Sequence, residues 1–105
     1  MDTIHQPVTF EEARKAAENA ARSHVSNFRK DESIPFLAER HLEAEHCWMF
    51  FRNEAIVVPP GRLLDWAYCV SKRGSLRSIA DFSDDPVRLQ EYLLTMSNYF
   101  RDRGE

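Results

Sequence analysis

The chain reads as a single α+β domain, an antiparallel sheet of four or five strands with an N-terminal and a C-terminal helix packed on one face. Three observations carry that reading. Cys47 to Phe51 is an unbroken apolar run between polar neighbours, too short to cross a membrane and rich in aromatics, which suits a buried central strand. A stretch with helical apolar spacing lies near each end of the chain, behind a strong helix-start signal. The apolar segments between them are short and joined by brief connections, which favours antiparallel neighbours. Two helices with apolar stripes bury them most simply on one sheet face.

Residues 1–8 form a lead-in. Thr9 and Glu12 match the S/T-x-x-E capping pattern, with Val8 as the apolar residue before the cap. Phe10, Ala13, Ala17, Ala20, His24 and Phe28 recur at helical spacing, predicting a helix from Phe10 to Asn27. Its face is mostly alanine, so Phe10, Val25 and Phe28 are the expected anchors. Arg29 to Ser33 is a loop. Ile34, Phe36 and Ala38 alternate with Pro35, Leu37 and Glu39 and predict a strand reaching His41 or Leu42, with Pro35 at an edge or at the start. Glu43-Ala44-Glu45 then connects into the central strand.

Ala55 to Val58 is a candidate fifth strand, and Pro59-Pro60-Gly61 interrupts regular structure. Arg62 to Asp65 fits either a helical turn or the start of the next strand. Trp66 to Ser71 is a strand with Trp66, Tyr68 and Val70 on one face. Gly74 supplies the positive φ of a tight turn, and Leu76 to Phe82 returns. Asp85 and Pro86 then open a second helix as cap and first residue. Leu89, Tyr92, Leu93, Met96, Tyr99 and Phe100 form its apolar face, and it ends near Arg101 or Asp102.

The 105 residues suit one domain, 1–105, long enough to hold a core without metal or disulfide staples. The net charge is -3, with seven basic and nine acidic residues in 1–52 and seven and eight in 53–105. No basic excess marks a nucleic-acid binder. Met1 to Val8 lacks the features of a signal peptide, and no segment is apolar for long enough to span a membrane, so the cytoplasm is the expected location.

Chemistry-bearing residues are few. His41, His46 and Cys47 match no zinc spacing, and on a strand His46 and Cys47 would point to opposite faces. Cys69 has no activating neighbour along its strand, so a structural thiol is the better reading of it, and of Cys47. Trp48, Phe50, Trp66 and Tyr68 suit core packing better than base stacking, since basic residues are not interleaved with them. Lys72 and Arg73 at a hairpin tip make a poor phosphate hook. The sequence lacks a Gly-rich phosphate loop, an HExxH pair and a nucleophile elbow. No catalytic, cofactor-binding or metal-ligating residue is therefore assigned, and no enzyme activity is expected. Two acidic clusters remain, Glu39, Glu43 and Glu45, and Asp81, Asp84 and Asp85. Acidic side chains at strand ends and turns are commonly plain solvated surface, with Asp85 explained as a cap. They are also suited to dock a basic protein and speed encounter with it.

The segment Cys47-Trp48-Met49-Phe50-Phe51-Arg52-Asn53 resembles the W-x-F-[FY]-x-N strand of the YrhB-like, or immunity protein 35, family of bacteria. Ala67 to Lys72 followed by Arg73-Gly74-Ser75-Leu76 is similar to that family's apolar strand, K-x-G turn and return strand. The stretch from Pro86 through Leu89-Gln90-Glu91-Tyr92-Leu93 resembles its closing helix, and Thr9-Phe10-Glu11-Glu12-Ala13 its opening one. Cys47 stands where the family commonly has Gly, and Ile56 to Asp65 replaces its usual insert. The resemblance implies an immunity protein that binds a cognate bacterial toxin inside the producing cell and blocks it. On that reading the six acidic residues are the expected partner-binding set. The alternatives are a chaperone or homodimeric scaffold for a secreted protein and, further off, a small thiol enzyme using Cys69.

Overall fold

Thr9 sets the start of helix α1, Phe10–Val25. Its hydroxyl accepts from the Glu12 N–H at 3.1 Å and the Glu12 carboxylate accepts from the Thr9 N–H at 2.8 Å, closing the capping box. The computed structural model describes residues 7–58 and 66–105. The helix stops before Asn27, because Ser26–Phe28 tightens into a 3-10 turn. Ala13, Ala17, Ala21 and Val25 are its buried residues, while Phe10 and Phe28 are only half-buried at the flanks. The alanine stripe thus gives close approach of helix to sheet, with the bulk supplied from the sheet side.

Four strands follow, β1 Leu37–Glu43, β2 Cys47–Arg52, β3 Trp66–Ser71 and β4 Leu76–Ala80, paired antiparallel in the order β1-β2-β3-β4. β1 begins beyond Ile34 and Pro35, whose missing N–H suits a lead-in, and it includes Glu43, which pairs with Trp48. Ala55 to Val58 is a turn, not a strand. The Asn53 side chain accepts from the Ala55 N–H and the Asn53 carbonyl from the Ile56 N–H, which drops Ile56 into the core. Pro59 to Gly61 and Arg62 to Asp65 lie outside the described residues. β4 ends at Ala80, because Asp81 accepts from the Ser83 N–H at 2.8 Å and turns the chain before Phe82 can pair. Helix α2, Pro86–Arg103, starts on the Asp85 cap, which accepts from the Arg88 N–H at 3.2 Å, and ends on Gly104 in the left-handed region.

The class is α+β, but the helices lie on opposite faces of the sheet, which corrects the single-face packing expected from the sequence. Under α1 sit Trp48, Phe50, Tyr68 and Val70, joined by Phe36, Leu37 and Ile56. Under α2 sit Cys47, Met49, Phe51, Ala67, Cys69 and Ile79 with Leu89, Leu93, Met96 and Phe100. Successive strand residues point to opposite faces, so an unbroken apolar run in β2 and another in β3 require cover on both sides. Trp66, Tyr68 and Val70 share the α1 face, in agreement with their spacing.

Candidate binding surface

The edge strand β1 is irregular. Leu37 pairs with Arg52 and His41 with Phe50, so four steps along β1 match two along β2, a bulge that swells the strand around Ala38 to Arg40. Arg14 of α1 reaches over and donates to the Ala38 carbonyl at 3.2 Å. On the α2 side, the Arg40 guanidinium lies 3.9 Å from the centre of the Phe51 ring and donates to the Ser83 hydroxyl at 2.6 Å. Ser83 in turn donates to Asp81. One arginine thereby ties the bulge to the β4–α2 connection. An open groove runs beside the bulge, lined by Arg14, Pro35, Leu37, Glu39, Asn53 and Glu54 among others.

These links divide the six acidic residues between two ends of the sheet. Glu39 lies with Asp81, Asp84 and Asp85 at the end where Leu37, Arg52 and Ala80 meet, whereas Glu43 and Glu45 lie at the opposite end. They also differ in what they already do. Asp85 caps α2, Asp81 holds the Ser83 turn, and Glu43 is paired with the Lys72 ammonium at 2.5 Å, which holds its carboxyl below the usual range. Glu45 approaches His46 at 3.8 Å. Glu39 and Asp84 are exposed and engaged by no other described side chain, as is Glu54 on the groove. Glu54 was overlooked in the sequence because it is a lone carboxylate after Asn53. What would have flagged it, a place on the same groove as Glu39, comes only with the fold.

Two further side-chain pairs are the other candidates. Tyr68 shares a 3.0 Å hydrogen bond with Nδ1 of His24, whose ring stacks against those of Trp66 and Tyr68 at 5.1 and 5.6 Å. Burial pushes the Tyr68 hydroxyl up to about 12, so it is a neutral partner at ordinary pH. His24 appeared in the sequence only as one position on the helical face. Cys47 and Cys69 are both fully buried on the α2 face of adjacent strands. Contact with Cys47, reinforced by burial, drives the Cys69 thiol pKa strongly upward, which makes it a poor nucleophile. Among the described residues, no group of three or more His, Cys, Asp or Glu is placed to hold a metal ion. No helix among them is long and apolar enough to cross a membrane. No known family, curated protein or solved structure matches the chain.

Proposed function

We propose that this chain is a binding protein of the immunity type, which neutralises a cognate bacterial toxin by covering its active or assembly surface inside the producing cell. One observation supports this reading best. Glu39, Glu54 and Asp84 stand exposed and uncommitted at the end of the sheet that carries the bulge and its groove. Carboxylates so placed attract a basic partner and fix its orientation, while the groove beside them offers the exposed Pro35 as an apolar contact. Glu43, Asp81 and Asp85 hold the fold together and are secondary in this reading.

The test uses the protein encoded by the reading frame directly upstream of this chain's, which this reading expects to be a secreted toxin. Co-expression with the native chain should restore growth, and the purified pair should associate faster at low salt than at high salt. Glu39→Lys combined with Asp84→Lys should slow association by about tenfold or more, because steering acts mainly on the on-rate. Failure of the native chain to protect cells or bind that protein would overturn the function. Native binding that the double reversal leaves unchanged would overturn the surface.

A further inference from the structure

The two edges of the sheet are built differently. β1 is bulged, carries Glu39, Arg40 and Glu43, and has one of its carbonyls taken by Arg14. Such features keep a foreign strand from pairing with an edge. β4 lacks the bulge and the acidic side chains, although its Leu76 carbonyl likewise accepts from an arginine, Arg77, at 3.0 Å. Its register with β3 is regular from Trp66↔Ala80 to Val70↔Leu76, it contains no proline, and its only charged residue is Arg77. That guanidinium is held towards α2 by the Glu105 carboxylate at 2.8 and 3.0 Å and the Tyr99 hydroxyl at 3.4 Å, with its third nitrogen on the Leu76 carbonyl.

The direction of the backbone groups follows from the ladder. The Ser71 N–H bonds to the Ser75 carbonyl at 2.8 Å, so Ser75, Arg77 and Ile79 direct their N–H and C=O groups at β3. Leu76, Ser78 and Ala80 direct theirs outward, where the Leu76 carbonyl keeps one lone pair beside its bond from Arg77, and among the described residues no strand pairs with that side of β4. Ser78 and Ala80 are exposed. Phe82, Tyr92 and Tyr99 sit half-buried beside this edge on the α2 face, around Ile79 and Arg77.

We infer that β4 is the seat of a second copy of this chain, pairing antiparallel with its counterpart about a twofold axis at Ser78 to form one continuous sheet. The strand complements itself in that register. Leu76 faces Ala80 of the partner subunit, large against small, and the symmetry repeats the pair. Arg77 faces Ile79 of the partner subunit, so no like charges are opposed. Ser78 meets Ser78 of the partner subunit, and the two hydroxyls can bond each other. A strand pair alone falls short of the ~1,000 Å² that a specific interface needs, and the half-buried aromatics beside the edge supply further apolar area. This surface is separate from the acidic groove, and the inference stands whether or not a toxin binds there.

Sedimentation of the full chain from low to high micromolar concentration tests it. The native chain should pass from monomer to dimer. Ser78→Lys places two ammonium groups face to face on the axis and should raise the dimer dissociation constant by about tenfold or more. Ser78→Pro removes an N–H that the chain's own sheet does not use, and should abolish the dimer while leaving the far-UV spectrum intact. Ser78→Glu should be monomeric alone, and mixing it with Ser78→Lys should restore a dimer of the two variants. A native chain that stays monomeric throughout, a dimer unmoved by Ser78→Lys, or a mixture that does not associate would overturn the proposal.

Discussion

Ser71 closes β3 with a fully buried side chain that does three things at once. Its hydroxyl donates to the Glu105 carbonyl at 2.8 Å and accepts from the N–H groups of Arg73 and Ser75 at 3.2 and 3.0 Å. It therefore joins the hairpin to the residue just beyond α2. Ser71→Ala leaves two part-buried N–H groups without this acceptor and should lower stability by about 1 kcal/mol, read from urea unfolding. Nothing in the sequence singled this serine out, since a small polar residue at a strand end has many ordinary explanations. Tyr68 has a similar history, being legible as core from its spacing but not as the partner of His24. Its raised hydroxyl sets a direction for alkaline stability. The folded state holds the proton more tightly than the unfolded state, so the contribution is fully present below the ordinary tyrosine value near 10 and is lost as pH climbs towards about 12. Urea midpoints at neutral and alkaline pH should show that decline, and Tyr68→Phe should flatten it.

At the level of elements, the local signals were strong where a backbone requirement has a single chemical solution. Thr9 with Glu12, Asp85 with Pro86, and Gly74 each named a terminus or turn that is present as read. Gly74 has φ of 97°, and a Cβ there would lie 3.2 Å from the Val8 side chain. Gly74→Ala should therefore cost about 1 kcal/mol or more by backbone strain, with the contact adding to it. Helix α1 shows where local pattern falls short. Its alanines looked energetically thin, yet Ala17 and Ala21 are fully buried, and closeness to β2 and β3 is their contribution. Ala17→Leu forces the helix away from the sheet and should destabilise by about 1–3 kcal/mol in the same assay. The Ala55–Val58 segment is no strand because Asn53 diverts the chain through its own side chain, which apolar alternation does not register.

For the whole molecule, the decisive feature is the unbroken apolar character of the two central strands. Cys47 to Phe51 and Ala67 to Val70 are apolar at every position, which already demands two covered faces, but each helix taken alone is content with one sheet face. The outcome is two cores separated by the thickness of the sheet. Substitutions in different cores share no partners, so Val25→Ala beneath α1 and Met96→Ala beneath α2 should add to within about 0.5 kcal/mol in the double variant, still in one cooperative transition. The candidate surface was less legible for a related reason. Six carboxylates were recognisable as two clusters, but the bulge, the Arg40 tether to Ser83 and the Lys72 partner of Glu43 decide which stay uncommitted, and all three depend on strand order and register.

The placement of α2 on a face of its own also bears on how the chain is made. A ribosome delivers α1 and the four strands before the closing helix, and domains assemble from the N-terminal side as they emerge. Until residues 86–103 clear the exit tunnel, Met49, Phe51, Ala67 and Cys69 form a sticky plate open to water. Synthesis thus passes through a stage at which the nascent chain invites chaperone capture, and that stage ends when α2 lies down.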